Sequence, residues 1–343
     1  LWIGIWAYIR FNKPDLIAKI SSDISAKTKA ETSVGDLSAN LLKTFPFISI
    51  ELSDVVVKDS LWKVHRRTFF IAKNIYLRLS PFGLFNKNRG VGKVIITQGR
   101  LHLFVDSTYF NNQYILRSNE PAKKQASPLP DIHFVGSELI MENPSRQKYH
   151  HFTLREFTMQ TTEKKDWQIF DINTNMLVNS LAFNTTKGSY LKNKDVRGDF
   201  EIRVDRTRKQ LSFTDINLLI DDQQFSLTGK FSVDTSNRDF NLVIGSDNLN
   251  FIKTVGLLPD SMRSKIKAFS MKKPIKAVID ISGKTKYKFV PLVNILVNVT
   301  KNTIVTPGGA FTDCSFTGKF NNELKTGDPR IDMKSVLEFS NFN

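Results

Sequence analysis

The stretch LSANLLKTFPFISIELSDVVVKD, residues 37–59, alternates apolar and polar side chains as a half-buried strand does, then changes phase. Ile48, Ile50 and Leu52 share one parity, Val55 and Val57 share the other, and Ser53-Asp54 lies between them. One extra residue there, as a β-bulge or tight turn, resets the phase and turns all five apolar residues to one side. Such a strand predicts a sheet that curls while keeping a continuous apolar surface. What covers that surface is the question on which function depends.

The same alternation recurs along the chain. GDFEIRVD (198–205) sets Phe200, Ile202 and Val204 against Asp199, Glu201 and Arg203. QFSLTGKFSV (224–233) groups Phe225, Leu227, Phe231 and Val233, and KPIKAVIDIS (273–282) groups Ile275, Ala277, Ile279 and Ile281. Further runs lie at 71–79, 93–97, 100–106, 152–159, 167–172, 211–220, 240–244 and 292–299. Strands of this kind predict an antiparallel sheet with one polar and one apolar face. Gln98-Gly99, between VIIT and RLHLFV, reads as a tight hairpin. Pro14 opens an amphipathic helix with Leu16, Ile17, Ile20 and Ile24 at helical spacing, ending near Lys29. Short helices are expected at 80–87 and over 247–269 around Pro259, and a Pro-rich loop or linker at 118–131. FSLTGKFSVD (225–234) and CSFTGKFNNE (314–323) echo one another, which hints at repeated hairpin units.

Composition bounds the function. The 343 residues, 41% apolar and 24% charged, make a chain able to fold. Phe is used 27 times against 4 Trp and 7 Tyr, so the aromatic area comes without polar handles, which suits either a surface facing hydrocarbon or an aromatic-rich β core. A net charge of +16 predicts an anionic partner, nucleic acid or a membrane surface. Its scatter over polar strand positions and loops reads most simply as a solvated face, and without a basic-aromatic RNP strand or a Cys/His finger nucleic acid is the weaker option. Residues 1–9, LWIGIWAYI, are too short to cross a bilayer but resemble the end of a spanning helix, with Trp2, Ile3, Trp6 and Ile9 as its apolar side and Arg10 and Lys13 at the water boundary. A buried helix end is the other reading. The chain begins with Leu and ends in a strand pattern, so both ends are expected to continue.

Reactive chemistry is not expected. The five histidines make no metal-ligand spacing, and the single Cys314 allows neither a disulfide within the chain nor a cysteine-based zinc site. Gly90-Val91-Gly92-Lys93 fails the phosphate-loop pattern, because residue 87 is Lys and Val94 follows the lysine. The carboxylate pairs Asp221-Asp222 and Asp199/Glu201 read as solvated surface. The expectation is therefore no enzyme, no cofactor, no metal and no nucleic acid.

An apolar face this long needs a second sheet, closure into a barrel, or a ligand of similar length. Here VGDLSANLLKTFPFISIELSDVVVKD (34–59), with Phe45-Pro46 before the strand and Leu52-Ser53-Asp54-Val55 closing it, resembles the start of the AsmA-like family of bacterial envelope proteins, particularly its Bacteroidetes forms. LTGKF at 227–231, the helix ending LLPDS and TPGGAFTDCSFTGKFNNE (306–323) extend the resemblance over most of the chain, and 118–197 matches least. The resemblance implies a mainly β fold: an elongated, curled antiparallel sheet forming an AsmA/TamB-like groove, with the end of a transmembrane helix at 1–10, a first groove segment at 11–117 and further repeats at 132–343. It implies a single N-terminal anchor in the inner membrane with the body in the periplasm, and kinship with bridge-like lipid-transfer proteins. Phospholipid acyl chains are then expected on Ile48, Ile50, Leu52, Val55, Val57, Phe200, Ile202, Val204, Phe225, Leu227, Phe231, Ile279, Ile281, Phe316 and Phe320. The competing expectation is an envelope scaffold or outer-membrane assembly factor with a closed β core and protein partners.

Overall fold

The structure, a computed structural model, describes residues 8–40, 49–79, 91–116, 129–234, 236–286, 289–322 and 335–342. The protein is mainly β, and its strands form one large mixed sheet that does not close into a barrel. Two units emerge from its contacts: residues 1–161 with 174–185, and residues 162–173 with 186–343.

The first unit begins with α1 (Lys13–Thr28), started by Pro14 in its first turn and stopped by Lys29 in a left-handed conformation. β1 (Glu31–Ser33) and β2 (Asp36–Asn40) both pair with β3 (Ser49–Lys58), and β4 (Phe70–Leu79) and β5 (Val91–Phe104) follow antiparallel. The short helix α2 (Trp62–His65) joins β3 to β4. β6 (Asp131–Asn143) then runs parallel to β5, and β7 (Lys148–Glu163) returns antiparallel to β6. The antiparallel expectation therefore fails between β5 and β6. A parallel pair needs a long return connection rather than a hairpin, and it falls across the Pro-rich stretch, most of which lies outside the described residues. Residues 132–161 consequently group with the first unit rather than with the later strands.

The phase slip of the opening stretch is confirmed, and its scale is larger than one strand. Leu52 and Val55 are both buried in one cluster with Val34, Leu37 and Ile9, while Asp54 is exposed with φ 48°. The register carries the same two-residue step to each neighbour. Ser53 and Val55 face Asn74 and Ala72, which face Thr97 and Gly99. Thr97 faces Val135, and Val135 and Ser137 face Glu156 and Leu154. Asp54, Gln98 and Gly136 all have positive φ. A single crease thus crosses β3 to β7, and every strand resets its alternation on the same line. Side chains pin the crease. Lys73 meets Asp54 at 2.8 Å, and the Ser137 hydroxyl accepts from the Gly99 N–H at 3.0 Å while donating to the Val135 carbonyl at 3.1 Å.

Gln98-Gly99 is accordingly not a hairpin. β5 runs unbroken through it, because a left-handed residue within a strand bends the chain without reversing it. Gly99 is needed for closeness: a Cβ there would stand 2.7 Å from the Ile96 Cγ2.

β8 (Trp167–Asn184) divides between the two units. After β9 (Gly188–Tyr190), the second unit is an antiparallel meander of β10 (Lys194–Asp205), β11 (Gln210–Ile220), β12 (Gln223–Ser232) and β13 (Asp239–Leu249). The helices α3 (Phe251–Val255) and α4 (Asp260–Ile266), separated by the Pro259 break, lead to β14 (Ser270–Met271). β15 (Ile275–Lys284) pairs back to β13 and onward to β16 (Leu292–Thr306), β17 (Gly309–Asn321) and β18 (Val336–Ser340). Its irregularities are single-strand bulges: Phe213 and Ile216 face Gly229 and Leu227, so Thr214-Asp215 adds one residue on β11 alone. The helix expected at 80–87 lies outside the described residues.

Candidate functional site: an apolar sheet face

Residues directly opposite on neighbouring strands share a face of the sheet. In the second unit this produces an unbroken apolar row across seven strands: Ile216, Leu227, Ile244, Ile279, Ile295, Phe320 and Leu337. Beside it runs Val204, Leu211, Phe231 and Phe240, in which the Phe231 and Phe240 rings stack with centroids 5.6 Å apart. Another row holds Leu242, Ile281 and Val293. The opposite face is polar and hydrogen-bonded sideways, Asn241 to Asp280, Asn321 to Asn294 and Thr317 to Asn298. A shallow cavity of about 400 Å³ lies mainly on that polar side, lined by Asp280, Leu296, Lys319 and Glu338 among others. Val278, Leu296 and Val336 share its lining with Asp280, Lys319 and Glu338, whereas the rows on the other face are apolar throughout and make the better candidate site.

The LTGKF and FTGKF echo has a physical meaning on this face. Gly229 sits under the Phe213 ring, so close that a Cβ would meet its Cζ at 2.4 Å. Gly318 sits opposite Phe339, with the nearest ring carbon 3.5 Å from where a Cβ would be. In both, a glycine inside a strand leaves a hollow that a neighbouring-strand aromatic fills.

The expected lining residues separate by burial. Phe200, Ile202, Val204, Leu227, Phe231, Ile279, Ile281 and Phe320 are half-buried, whereas Phe225 and Phe316 are buried. In the first unit Leu52 and Val55 are buried and Ile50 is half-buried, packed beneath Leu16, Ile17 and Ile20 of α1, while Val57 is buried in a second cluster with Ala30, Phe69 and Ile115. Leu52, Val55 and Ile50 therefore belong to a core that the helix closes, and Val57 to one closed by Ala30 and Ile115. Ile48 lies outside the described residues, as do Trp2, Ile3 and Trp6 of the expected anchor. Ile9 is packed into the same α1-covered core, which places this residue against protein. No helix among the described residues is long and apolar enough to cross a membrane. The alternation missed Phe213, Phe240, Leu242, Ile244, Val293, Ile295 and Leu337. Most were inside runs already readable as strands; the extra residue at Thr214-Asp215 hid only that Phe213 shares a face with Ile216.

The first unit also carries a polar network on its other side. Arg67 forks onto Glu142 at 2.9 and 2.6 Å, and Glu142 meets His102 at 3.1 Å. The Arg67 hydrogen bond holds Glu142 below the usual carboxylate range, and burial lowers His102. His65 is nearly buried against Asp59 at 2.9 Å, and its Nδ1 accepts from the Arg67 N–H, so Nε2 carries the proton toward Asp59. These contacts fasten the β3–β4 connection to β6.

No protein-family model matches this chain, and no curated protein matches it.

Proposed function

We propose that the protein holds the acyl chains of a phospholipid on the apolar face of its sheet, as an anchored envelope protein of the periplasm that contributes to lipid transport between the inner and outer membranes. The observation that carries this reading is the half-buried state of the row from Leu227 to Phe320. A strand-centre isoleucine in a closed sandwich is buried on all sides. Ile279 and Ile295 keep part of their surface uncovered by protein. Each uncovered methylene costs about 0.8 kcal/mol to wet, so a chain of about a dozen methylenes along the rows removes on the order of 10 kcal/mol of unfavourable hydration. The groove shape and the phospholipid class belong to this reading, as does the resemblance to AsmA-like proteins.

Detergent-free purification followed by native mass spectrometry tests it. Phospholipid is expected in the wild type and absent from Ile279→Asp, with the variant's circular dichroism unchanged. An Ile279→Asp protein that unfolds instead assigns the face to a closed core and favours the scaffold reading.

A further inference from the structure

The connection between β13 and β15 combines exposed apolar side chains with a one-sided charge. α3 is capped by Asn250, whose side-chain oxygen accepts from the Lys253 N–H at 3.1 Å. Val255, Leu257 and Pro259 are buried and fasten the two short helices to the unit. Outward they leave Ile252 at 64% exposure and Met262 and Phe269 at 42% each. α3 lies against β14, which follows Phe269 directly, so Ile252 and Phe269 come from neighbouring segments, whereas α4 lies against β9 and its Met262 sulfur accepts from the Tyr190 hydroxyl at 3.6 Å.

The charge around them is one-sided. Residues 250–273 hold six cations, Lys253, Arg263, Lys265, Lys267, Lys272 and Lys273, against one acid, Asp260. Lys253 is taken by Asp222, Arg263 by Asp260, and the Lys273 ammonium donates to the Lys301 carbonyl. Lys265, Lys267 and Lys272 have no side-chain partner among the described residues. Exposed apolar side chains scattered singly are ordinary. Ile252 and Phe269 on adjoining segments, in a connection with three lysines that lack a side-chain partner among the described residues, are the composition of an interfacial membrane contact.

We propose that this connection docks the protein on an anionic bilayer, with Ile252 and Phe269 entering the interface and Lys265, Lys267 and Lys272 meeting lipid phosphates. A bilayer suits the spacing better than a folded acidic protein does. A fluid interface accepts separated apolar side chains wherever they fall, while a protein would need a matching pocket for each. The inference extends the acyl-chain reading by naming where the chain meets its lipid source, and it stands or falls separately, because docking needs no lipid on the sheet face.

Flotation of the full chain with phosphatidylcholine vesicles, and with vesicles that also contain phosphatidylglycerol, tests it. The anionic vesicles are expected to bind at least about tenfold more protein, with salt removing the difference. Lys265→Glu/Lys267→Glu and Ile252→Asp/Phe269→Asp should each lower that binding about tenfold, and the exposure of all four sites keeps the fold intact. Residues 1–9 can partition on their own, so a second readout is local. Ile252→Cys in a Cys314→Ala background, carrying an environment-sensitive fluorophore, should shift to the blue on anionic vesicles. Equal binding of wild type and both variants without a fluorophore shift overturns the proposal, as does a shift produced by polyglutamate but not by vesicles. Native mass spectrometry of the same variants should still find bound phospholipid, which separates failure of docking from failure of the acyl-chain reading.

Discussion

The first unit contains a cross-strand row of Leu37, Leu52, Ile75, Ile96, Phe134 and Phe157, as apolar as the row from Ile216 to Leu337 in the second. Sequence pattern makes them twins, but their surroundings differ. Leu37 and Leu52 are buried under α1, each apolar contact from Leu16, Ile17 and Ile20 adding on the order of 1 kcal/mol. Ile279 and Ile295 are only half-buried. The units also bend differently: the first creases along one line through five strands, and the second absorbs single bulges strand by strand. A crease shared by every strand keeps neighbours in register and leaves an apolar face that one helix can cover. Isolated bulges re-aim one strand at a time.

The largest expected effect would break this comparison outright. Leu52→Asp places an unpaired carboxylate in a closed core and should cost about 4 kcal/mol or more in urea unfolding. Ile279→Asp should cost only about 1–2 kcal/mol. Equal losses would mean that both rows are equally closed.

Next come the two glycines of the echo. Gly229→Ala drives a methyl into the Phe213 ring and should destabilise by about 1–3 kcal/mol, with Phe213→Leu in the same chain restoring much of it. Gly318→Ala meets only ordinary contacts and should stay within about 0.5 kcal/mol. The crease is probed by Gln98→Gly, which relieves a positive φ and should stabilise by about 0.5–1 kcal/mol, while Gln98→Val should lose about as much. Thermal melting orders these variants, and an indifferent response to Val would remove the left-handed turn from the account.

The smallest effect is on pH. All five histidines lie in the first unit, and burial lowers His102, His133 and His150. Folding therefore favours their neutral forms. Their contribution is present above the ordinary histidine value of about 6.5 and is lost as pH falls below it. Glu142, lowered chiefly by its Arg67 hydrogen bond, adds a loss of the same sign at still lower pH. Hydrogen exchange compared at about pH 7 and about pH 5, corrected for intrinsic rates, should show protection falling in the first unit and steady in the second. A parallel fall in both would detach the effect from these histidines.

Much of the fold was legible, because alternation is a local property. β3, β10, β12 and β15 stand where the period-two runs place them, and Pro14 and Pro259 mark a helix start and a helix break as their chemistry dictates. Gln98-Gly99 was misread because a left-handed residue followed by glycine looks the same in a hairpin and in a bulge. Only the partner strands decide: β4 continues past both residues. The parallel β5–β6 pair was invisible for a related reason, since strand direction is set by the path of the connection and not by the strand's own residues.

For the candidate site the division is sharper. Taken alone, the sequence determined which side chains share a face within a clean run, including the phase reset at Ser53-Asp54, because the pleat sends successive side chains to opposite sides, but not across a bulge such as Thr214-Asp215. It could not determine which part of that face is closed. Leu52 and Ile279 carry the same local signal and differ in what lies above them, α1 in one and no complete cover in the other. Burial is a sum over distant chain segments, and only the tertiary structure brings those segments together.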